Sequence, residues 1–415
     1  MEQDIIKIRG GKKLSGEVTI SSSKNAAVAI LPAVVLASEI VKLYDVPHIN
    51  DVHVLIQLLQ ELNIDVTTVN DALVIDPTSI KNIVLNSDNV SKLRASYYFM
   101  GALLGRFKYV KMLYPGGCNL GPRPIDLHLK GFEALGAKVN IDGGLIEIQA
   151  DKLVGDEIYL DFASVGATIN IMLAATFAEG RTTIRNAAKE PEIIDLSSML
   201  NKMGAHIHGA GTSEITIDGV NRLKGCIHDI IPDRIEAGTY IIMAAAVGDG
   251  VTVKNVIPQH IEALLSKLEE MGVKMLIGSD NVRVLPSEKL KGVDVKTQTF
   301  PGFATDLQQP ISSLLALAEG DSTITETIYL ERFKHCPELV KMGANIELQE
   351  GKAIIHGVNK LNNAEVTATD LRCGAGLIIA ALLAKGETTI HDAHHIFRGY
   401  DGIKEKLKKL GADVE

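Results

Sequence analysis

The sequence predicts an α/β fold built from six copies of one unit, and two repeated features predict it. A short polar starter precedes a long apolar, helix-like run six times, roughly every 70 residues. A glycine in the context LGA, MGA or MGV closes a second helix in five of the copies, and Asn63 takes that place in the first. We therefore interpret the unit as strand, buried helix, strand, amphipathic helix and hairpin.

The starters are predicted to cap the N-termini of the six apolar helices. Ser, Thr and Asp accept hydrogen bonds from the first amides of a helix. These N-termini carry partial positive charge and would bind anions if they gather on one surface. Lys24, Arg94 and Arg372 follow starters closely, and a cation there is unfavourable unless an anion joins it; simple capping and dipole roles are the alternative. The starters are Ser22, Ser91, Ser164, Asp233, Thr305 and Thr369.

The closing residues are predicted to adopt the left-handed conformation that ends a helix before a strand. They are Asn63, Gly136, Gly204, Gly272, Gly343 and Gly411.

The length of 415 residues and the six repeats predict two domains of three repeats each. The boundary is predicted near residues 229–233, where Pro232 breaks the preceding segment and Asp233 begins a helix. The first strand-like stretches, within residues 5–20, could join either half. We assign residues 22–231 to one domain, and residues 1–21 with 232–415 to the other.

Composition excludes several classes of function. The net charge of -9 argues against a nucleic-acid partner. The longest apolar stretches, residues 26–37 and 373–384, are too short to span a membrane, and the N-terminus lacks the apolar region of a secretion signal. The four cysteines lie far apart, which predicts free thiols in a reducing cytoplasm. His206 with His208 and His394 with His395 lack a third ligand of clear spacing, so we predict no metal site.

The segment from Tyr114 to His128 is the strongest candidate for chemistry. Its glycines and prolines disfavour regular structure, and Cys118 lies among them with little bulk around it. Arg123 and Lys24 would lower the pKa of this thiol below the free value of about 8.5 and make it reactive. An inert cysteine in a turn is the alternative. Such a loop also suits a lid that closes over substrate.

The loop sequence PGGCNLGPRPIDLH resembles the signature loop of the UDP-N-acetylglucosamine enolpyruvyl transferase family. Other segments similar to that family follow in order along essentially the whole chain. They are SKNAAV (23–28), LRAS (93–96), SVGAT (164–168), KEPEIID (189–195), PGFATD (301–306), ITET and ERF (within 324–333), DLR (370–372) and RGY (398–400).

The resemblance implies a two-domain inside-out α/β barrel of six βαβαββ-type repeats, with residues 1–21 and 232–415 as the catalytic domain. It implies transfer of the enolpyruvyl group of phosphoenolpyruvate to the 3-hydroxyl of UDP-N-acetylglucosamine, with release of phosphate. The reaction proceeds through a tetrahedral ketal and is the first committed step of peptidoglycan synthesis. The two substrates are the implied partners, and no cofactor or metal is implied.

The resemblance also assigns residues. It implies Cys118 as the acid-side residue and the target of fosfomycin, Asp306 as the base, and Lys24 and Arg398 as further catalytic residues. The phosphoenolpyruvate ligands would be Lys24, Asn25, Arg123, Arg372 and Arg398, supported by Arg94 and Arg332. The UDP-N-acetylglucosamine ligands would be Asn25, Arg94, Arg123, Pro124, Ile125, Asp126, Leu127, Ser164, Val165, Gly166, Thr305, Asp306 and Ile328.

Alternatives remain from the residues alone. Asp306 could be only a first-turn acid that complements a helix dipole, and Arg398 a surface ion pair. The sister activity on 3-phosphoshikimate belongs to a family that lacks the cysteine-bearing loop. A UDP-sugar-binding regulator without turnover is a second alternative. Ile169, Leu330 and Phe397 depart from the family pattern and put outer nucleotide contacts and the support of Arg398 in doubt.

Overall fold

Two compact units make up the chain. The structure is a computed structural model that describes residues 5–115, 125–287 and 289–415. The middle unit comprises residues 22–115 and 125–231, and the terminal unit comprises 5–21, 232–287 and 289–415. Each unit has its own hydrophobic core. The catalytic role of the domain that holds both termini stays a prediction.

The helices of the described residues alternate between apolar and amphipathic. The α-helices are α1 (Lys24–Ala33), α2 (Asn50–Glu61), α3 (Asp88–Lys92), α4 (Tyr98–Phe107), α5 (Asp126–Ala134), α6 (Val165–Ala175), α7 (Pro191–Lys202), α8 (Arg234–Val247), α9 (Glu262–Met271), α10 (Gln308–Leu315), α11 (His335–Lys341), α12 (Leu371–Leu383) and α13 (Ile403–Lys409). The 3-10 helices are Val34–Leu36, Arg94–Tyr97, Pro258–Ile261, Thr305–Leu307 and Ala393–Arg398. In this part of the chain, none of the helices is both long and apolar enough to cross a membrane.

The strands are short, and most expose one face. They are β1 (Ile5–Gly10), β2 (Leu14–Thr19), β3 (Val41–Tyr44), β4 (Asp65–Val69), β5 (Ala72–Asp76), β6 (Tyr109–Leu113), β7 (Lys138–Asp142), β8 (Leu145–Gln149), β9 (Glu157–Tyr159), β10 (Arg181–Arg185), β11 (His206–His208), β12 (Glu214–Asp218), β13 (Ile227–Asp229), β14 (Gly248–Lys254), β15 (Met275–Ile277), β16 (Asn281–Val284), β17 (Val295–Lys296), β18 (Asp321–Thr325), β19 (Asn345–Gln349), β20 (Lys352–His356), β21 (Glu365–Thr367), β22 (Gly386–His391) and β23 (Asp413–Val414).

Each unit contains three small sheets, one for each repeat. The strand orders are β13-β3-β5-β4, β6-β8-β7 and β11-β12-β10-β9 in the middle unit, and β15-β16-β14-β2, β17-β18-β20-β19 and β21-β22-β1-β23 in the terminal unit. In the third repeat the strands that flank α6 pair in parallel, with Ile184 opposite Ile158, as a helical crossover requires. The hairpin then adds antiparallel strands, with Ile184 opposite Ile215.

Two strands lie in one unit although the helix that follows each of them in the chain lies in the other unit. β2 precedes α1 in the chain but pairs in parallel with β14 of the terminal unit, with Val18 opposite Val253. β13 precedes α8 but pairs in parallel with β3 of the middle unit, with His228 opposite Leu43. The structure thus places both N-terminal strands, β1 and β2, in the terminal unit.

The apolar helices form the interior of each unit. α1, α4 and α6 are almost entirely buried in the middle unit, as are α8, α10 and α12 in the terminal unit. Glycines allow close approach: a Cβ at Gly101 of α4 would lie 2.4 Å from the Asn170 carbonyl oxygen of α6, and one at Gly376 of α12 would lie 2.9 Å from that of Gln309. Helices inside and sheets outside confirm the predicted inside-out α/β fold.

The predicted helix starts are partly right. The side chain of Ser164 accepts a hydrogen bond from the amide of Ala167, and that of Asp233 accepts from the amides of Ile235 and Glu236, so these two caps are confirmed.

The predicted capping role is wrong for four of the six starters. The caps of α1 and α12 are Ser23 and Asp370, one residue after the predicted Ser22 and Thr369. Ser91 lies within α3, and Thr305 begins a 3-10 helix. The helices α4 and α10 start at Tyr98 and Gln308, directly after 3-10 helices. A residue already in a helical turn does not offer the extended backbone of a side-chain cap, so the polar starter was the wrong signal there.

The predicted closing residues are confirmed. All six have positive φ: Asn63 (62°), Gly136 (94°), Gly204 (106°), Gly272 (95°), Gly343 (94°) and Gly411 (95°).

Candidate active site

Asp306 lies in the 3-10 helix Thr305–Leu307, and its carboxylate binds two arginines of the terminal unit. Arg332 Nη1 lies 2.7 Å from Oδ1, and Arg372 Nη2 lies 3.0 Å from Oδ2. The arginine side chains are each 4% exposed, whereas that of Asp306 is 24% exposed. The carboxylate therefore keeps solvent access that its two partners lack.

Arg372 is held from three sides at the start of α12. Asp370 caps the helix and accepts from the amides of Arg372 and Cys373 at 2.8 and 3.1 Å. The guanidinium lies over the ring of Tyr400, 5.6 Å from its centroid, and Nη1 donates to the Tyr400 hydroxyl at 3.3 Å. That hydroxyl also lies 2.9 Å from Thr239 Oγ1. Sequence reasoning missed Tyr400 as the support of Arg372, although the RGY motif contains it.

The two arginines control the charge of Asp306. Burial alone would raise the pKa of Asp306, but the charges of Arg372 and Arg332 outweigh burial and hold this pKa well below its ordinary value. The carboxylate is thus ionised at any physiological pH and is able to accept a proton. The same pairing makes it a weak base for as long as both arginines remain in place.

Glu326, which the sequence did not single out, connects two further predicted residues to this cluster. Thr305 Oγ1 donates to Glu326 Oε2 at 2.9 Å and accepts from Arg332 Nη1 at 3.1 Å. The amide of Ile328 donates to Glu326 Oε1 at 2.8 Å. The structure therefore brings Thr305, Asp306, Ile328 and Arg372 of the predicted set together, along with the predicted support Arg332.

Arg398 is the last residue of the 3-10 helix Ala393–Arg398 and is half-buried. It lies near His395, whose pKa is lowered by burial first and then by the charges of His394 and Arg398. The neighbouring Phe397, a departure from the family pattern, is half-buried with Lys404 Nζ 6.0 Å from its ring centroid.

Lys24, in the middle unit, is the first residue of α1 and pairs with a buried carboxylate. Its Nζ lies 3.1 Å from Asp51 Oδ2, and the two side chains are 15% and 4% exposed. Asn25 follows it and is half-buried. The sequence argument requires an anion beside a cation at this helix end, and the side chain of Asp51 supplies one for Lys24. The side chain of Asp306 supplies one for Arg372.

The N-terminus of α6 contains the predicted diphosphate-binding segment. Ser164 caps the helix through a 3.2 Å hydrogen bond from the amide of Ala167, and Val165 and Gly166 are its first two residues. A Cβ at Gly166 would lie 2.8 Å from Tyr97 Oη and 2.9 Å from His128 Cε1. Only glycine therefore fits between the helix end and these two rings.

His128 is a third residue that sequence reasoning missed. Its Nδ1 lies 2.8 Å from Asn170 Nδ2, while Asn170 Oδ1 accepts from the amide of Gly101 at 2.9 Å. Burial first, and then the charge of Arg94, lowers the pKa of His128 to about 3. The ring is thus neutral, with Nδ1 as acceptor and its proton on Nε2, next to Gly166. A lone histidine in a motif carries no such signal before the fold is known.

The remaining predicted residues of the middle unit lie near or outside the limits of the described chain. Ile125 is buried directly before α5, and Asp126 (exposed) and Leu127 (half-buried) form its first turn. The guanidinium carbon of Arg94 lies 5.7 Å from the centroid of the Tyr97 ring. The predicted residues Cys118, Arg123 and Pro124 lie outside the described residues.

Two other sequence features carry no site in the described part of the chain. Ile169 is fully buried in α6, so this departure from the family pattern affects the core rather than a ligand contact. Across residues 5–115, 125–287 and 289–415, no group of three or more His, Cys, Asp or Glu residues is placed to hold a metal ion.

Comparison with known proteins places this arrangement in a family. The family model of EPSP synthase (3-phosphoshikimate 1-carboxyvinyltransferase) matches residues 8–407. A relative from Listeria monocytogenes serotype 4b (strain F2365), named UDP-N-acetylglucosamine 1-carboxyvinyltransferase 2, is 57% identical over 411 residues, which cover 99% of this chain and 97% of the relative. A relative of the same name from Staphylococcus aureus (strain MRSA252) is 54% identical over 415 residues, covering 100% and 99%.

Solved structures share the fold over the same length. The enolpyruvyl transferase NikO from Streptomyces tendae has a TM-score of 0.90 and 26% identity, covering 99% of this chain and 98% of its own. The EPSP synthase from Acinetobacter baumannii has a TM-score of 0.76 at 19% identity, covering 99% of each chain, and shows the fold alone. Since the family match and the relatives extend over nearly the whole chain, this protein belongs to the EPSP synthase family.

Proposed function

We propose that this chain transfers the enolpyruvyl group of phosphoenolpyruvate to the 3-hydroxyl of UDP-N-acetylglucosamine and releases phosphate, the first committed step of peptidoglycan synthesis. The observation that carries the proposal is the identity of 54–57% to relatives named for this activity, because it extends over both units. The reaction belongs in the cytoplasm, where the free thiols Cys226, Cys336 and Cys373 stay reduced.

The cations serve the two anionic groups of phosphoenolpyruvate. Arg372 and Arg398, with Lys24, Asn25 and Arg123, bind its carboxylate and phosphate. Arginine suits this role because its guanidinium is always charged and matches such oxyanions in fork geometry. The fixed position of Arg372 over Tyr400 supports the assignment, since a preorganised guanidinium loses little entropy when it binds.

Asp306 takes the proton of the sugar hydroxyl during addition, and competition for Arg372 makes this possible. In the resting chain Arg372 is bonded to Asp306. A substrate oxyanion that binds Arg372 weakens this pair and raises the proton affinity of the carboxylate. The base is thus strengthened when phosphoenolpyruvate occupies its site.

The addition and the elimination need protons on opposite sides of the reacting centre. As the sugar oxygen attacks the central carbon of phosphoenolpyruvate, the methylene carbon gains a proton from the acid side, where the family resemblance places Cys118. The tetrahedral ketal then loses phosphate, which takes up the proton that Asp306 removed from the hydroxyl. It also loses a methyl proton, which returns to the acid-side residue. The products are the enolpyruvyl ether and inorganic phosphate, with atoms and charge conserved.

The nucleotide sugar is bound by main chain and by polar side chains. The amides of Ser164, Val165 and Gly166 at the start of α6 suit the diphosphate. Neutral His128 packs against the same helix end, with its Nε2 3.1 Å from a Cβ built at Gly166. The other ligands are Asn25, Arg94, Arg123, Pro124, Ile125, Asp126, Leu127, Thr305, Asp306 and Ile328.

Phosphate release from phosphoenolpyruvate tests the proposal. Release that requires UDP-N-acetylglucosamine and stops with fosfomycin is expected. Release with shikimate 3-phosphate instead would support the sister activity. Tight binding of UDP-N-acetylglucosamine without any release would support a regulator and overturn the proposed reaction.

A further inference from the structure

Glu326 is a buried carboxylate that accepts hydrogen bonds from several segments of the terminal unit. It follows β18, is 1% exposed, and accepts hydrogen bonds from two threonine hydroxyls and two backbone amides. A buried anion is costly unless hydrogen bonds or a counter-charge compensate it. Four donors directed at one carboxylate meet that cost, and they come from three separate segments of the terminal unit.

The two oxygens of Glu326 serve different segments. Oε1 accepts from Thr297 Oγ1 at 2.7 Å and from the amides of Ile328 and Tyr329 at 2.8 and 3.1 Å. Oε2 accepts from Thr305 Oγ1 at 2.9 Å. One oxygen therefore holds the turn at Ile328, and the other holds the 3-10 helix that contains Asp306.

The direction of the hydrogen bonds on the Oε2 side is fixed. Arg332 only donates, so Thr305 Oγ1 must accept from its Nη1 at 3.1 Å and direct its own proton to Glu326. The same Nη1 lies 2.7 Å from Asp306 Oδ1. Glu326 thus acts on Asp306 through Thr305 and Arg332, without touching it.

The contact between Glu326 and Thr297 is local and explains only how β18 ends. Thr297 Oγ1 also accepts from the amide of Thr327, and Thr327 Oγ1 donates to the Thr297 carbonyl oxygen at 2.6 Å. If Glu326 only closed this strand end, the Thr297 contact would suffice. The contacts with Thr305 and Ile328 instead reach the candidate site.

We propose that Glu326 is a positioning residue for the transferase reaction: it fixes the amide turn at Ile328 and, through Thr305 and Arg332, the carboxylate of Asp306. The inference rests on the proposed function. It separates two effects, because the Oε2 branch acts on the base and therefore on kcat, whereas the Oε1 branch acts on the Ile328 turn and therefore on the KM for UDP-N-acetylglucosamine.

Three single variants test the Oε2 branch. In Glu326→Gln the carbonyl must face the Ile328 and Tyr329 amides, which only donate, so the new NH₂ group faces Thr305. The Thr305 hydroxyl then loses the anionic acceptor that fixes its direction, whereas the Oε1 branch keeps its acceptor. Thr305→Val breaks the same branch from its other end. Thr297→Val is the matched control, since it removes a hydroxyl from the same carboxylate but away from the site.

We expect Glu326→Gln and Thr305→Val each to lower kcat about tenfold or more, since small displacements of a catalytic group are costly. The double variant should fall no further, because both changes break one branch. The KM for UDP-N-acetylglucosamine should stay within about twofold for Glu326→Gln. Thr297→Val should leave kcat within about twofold while lowering the unfolding midpoint.

The proposal is overturned if Thr297→Val lowers kcat as much as Glu326→Gln, or if the two branch variants lose activity only in proportion to folded protein. Thr305→Val decides the Oε2 branch should Glu326→Gln fail to fold. Calorimetric binding of UDP-N-acetylglucosamine is measured in parallel, and Glu326→Ala should weaken it relative to Thr297→Val. If the wild type binds UDP-N-acetylglucosamine without turnover, the proposed function fails. The affinity of Glu326→Ala for UDP-N-acetylglucosamine then still decides whether Glu326 positions the turn at Ile328. If the wild type does not bind it, both fail.

Discussion

At the scale of residues, the candidate site depends on a carboxylate and a guanidinium that neutralise each other before substrate arrives. Arg372 holds Asp306 at 3.0 Å while both remain fixed by other partners, Arg332 and Tyr400. The pair keeps the proposed base ionised and its proton affinity low. A ligand that competes for the guanidinium would change both properties, so the proposed binding of phosphoenolpyruvate at Arg372 would activate the proposed base.

Asp306→Asn tests the assignment of the base. The amide cannot take a proton, so kcat should fall by about 10²–10⁴-fold, while the Kd of UDP-N-acetylglucosamine changes little. Phosphate-release kinetics and calorimetry measure the two. Asp321→Asn, an exposed change on β18, is the control and should leave both unchanged. Lost nucleotide-sugar binding with kcat retained at saturation would show that Asp306 is a binding residue instead.

Cys118 is tested by two substitutions and by its reaction with fosfomycin. Cys118→Ser should cripple turnover, whereas Cys118→Asp should keep it and escape the drug, because an acid remains and the soft nucleophile does not. Mass spectrometry should find the adduct on Cys118 alone. Burial raises the pKa of Cys336 and of Cys373 to about 12, so these thiols should stay protonated and should not react with the drug. An active serine variant, or alkylation elsewhere, would contradict the assignment.

At the scale of elements, local signals predicted where helices end better than where they begin. The six closing residues need positive φ, which glycine and asparagine supply independently of the rest of the fold. The predicted starts are one residue early at α1 and α12. They fail altogether in the second repeat of each unit, where a 3-10 helix precedes α4 and α10. Those 3-10 helices contain Arg94 and Asp306, so the deviation from the repeat lies at predicted site residues. Sequence spacing does not predict it.

The close packing of α4 on α6 can be tested by Gly101→Ala. A methyl group 2.4 Å from the Asn170 carbonyl oxygen forces the helices apart, which should cost about 1–3 kcal/mol of unfolding free energy. The gain of about 1 kcal/mol in helix propensity offsets only part of this loss, because the clash is with backbone atoms that cannot move aside freely. Ser198→Ala, on the exposed face of α7, is the control and should not destabilise. Equal denaturation midpoints for the two variants would contradict the observed approach.

Glu236, in the first turn of α8, should give the unfolding free energy a pH dependence. Its carboxylate accepts from Lys406 Nζ and from the amide of Ser21, the last residue before the chain leaves the terminal unit. Burial, only partly offset by Lys406, raises the pKa of Glu236 to about 7.

The folded state then holds this proton more tightly than the unfolded chain, in which the pKa is about 4.3. The free energy of unfolding should therefore fall as pH rises from about 4.3 to about 7, and Glu236→Gln should remove that slope. Urea unfolding at several pH values measures it. Glu262→Gln, an exposed first-turn change on α9, should keep the slope. If the free energy of unfolding has the same pH dependence in the wild type and in Glu236→Gln, the prediction is contradicted.

At the scale of the whole molecule, the repeat count and the fold class were predictable, whereas the pairing of strands was not. The six starters and the six closing residues are local features that can be recognised in the sequence. The partners of β2 and β13 lie more than 150 residues from them in the chain, at Val253 and Leu43, and nothing in the residues of either strand specifies that pairing. Sequence reasoning missed the supports Tyr400, Glu326 and His128 for the same reason. Their contacts with Arg372, Thr305 and Asn170 span 28, 21 and 42 residues of the chain.

The most direct measurement of the central claim is the mass of the product formed from phosphoenolpyruvate and UDP-N-acetylglucosamine. We predict one enolpyruvyl group added to the nucleotide sugar for each phosphate released, and no product with shikimate 3-phosphate as acceptor. Phosphate released without a modified nucleotide sugar, or a nucleotide sugar recovered unchanged, would contradict the account.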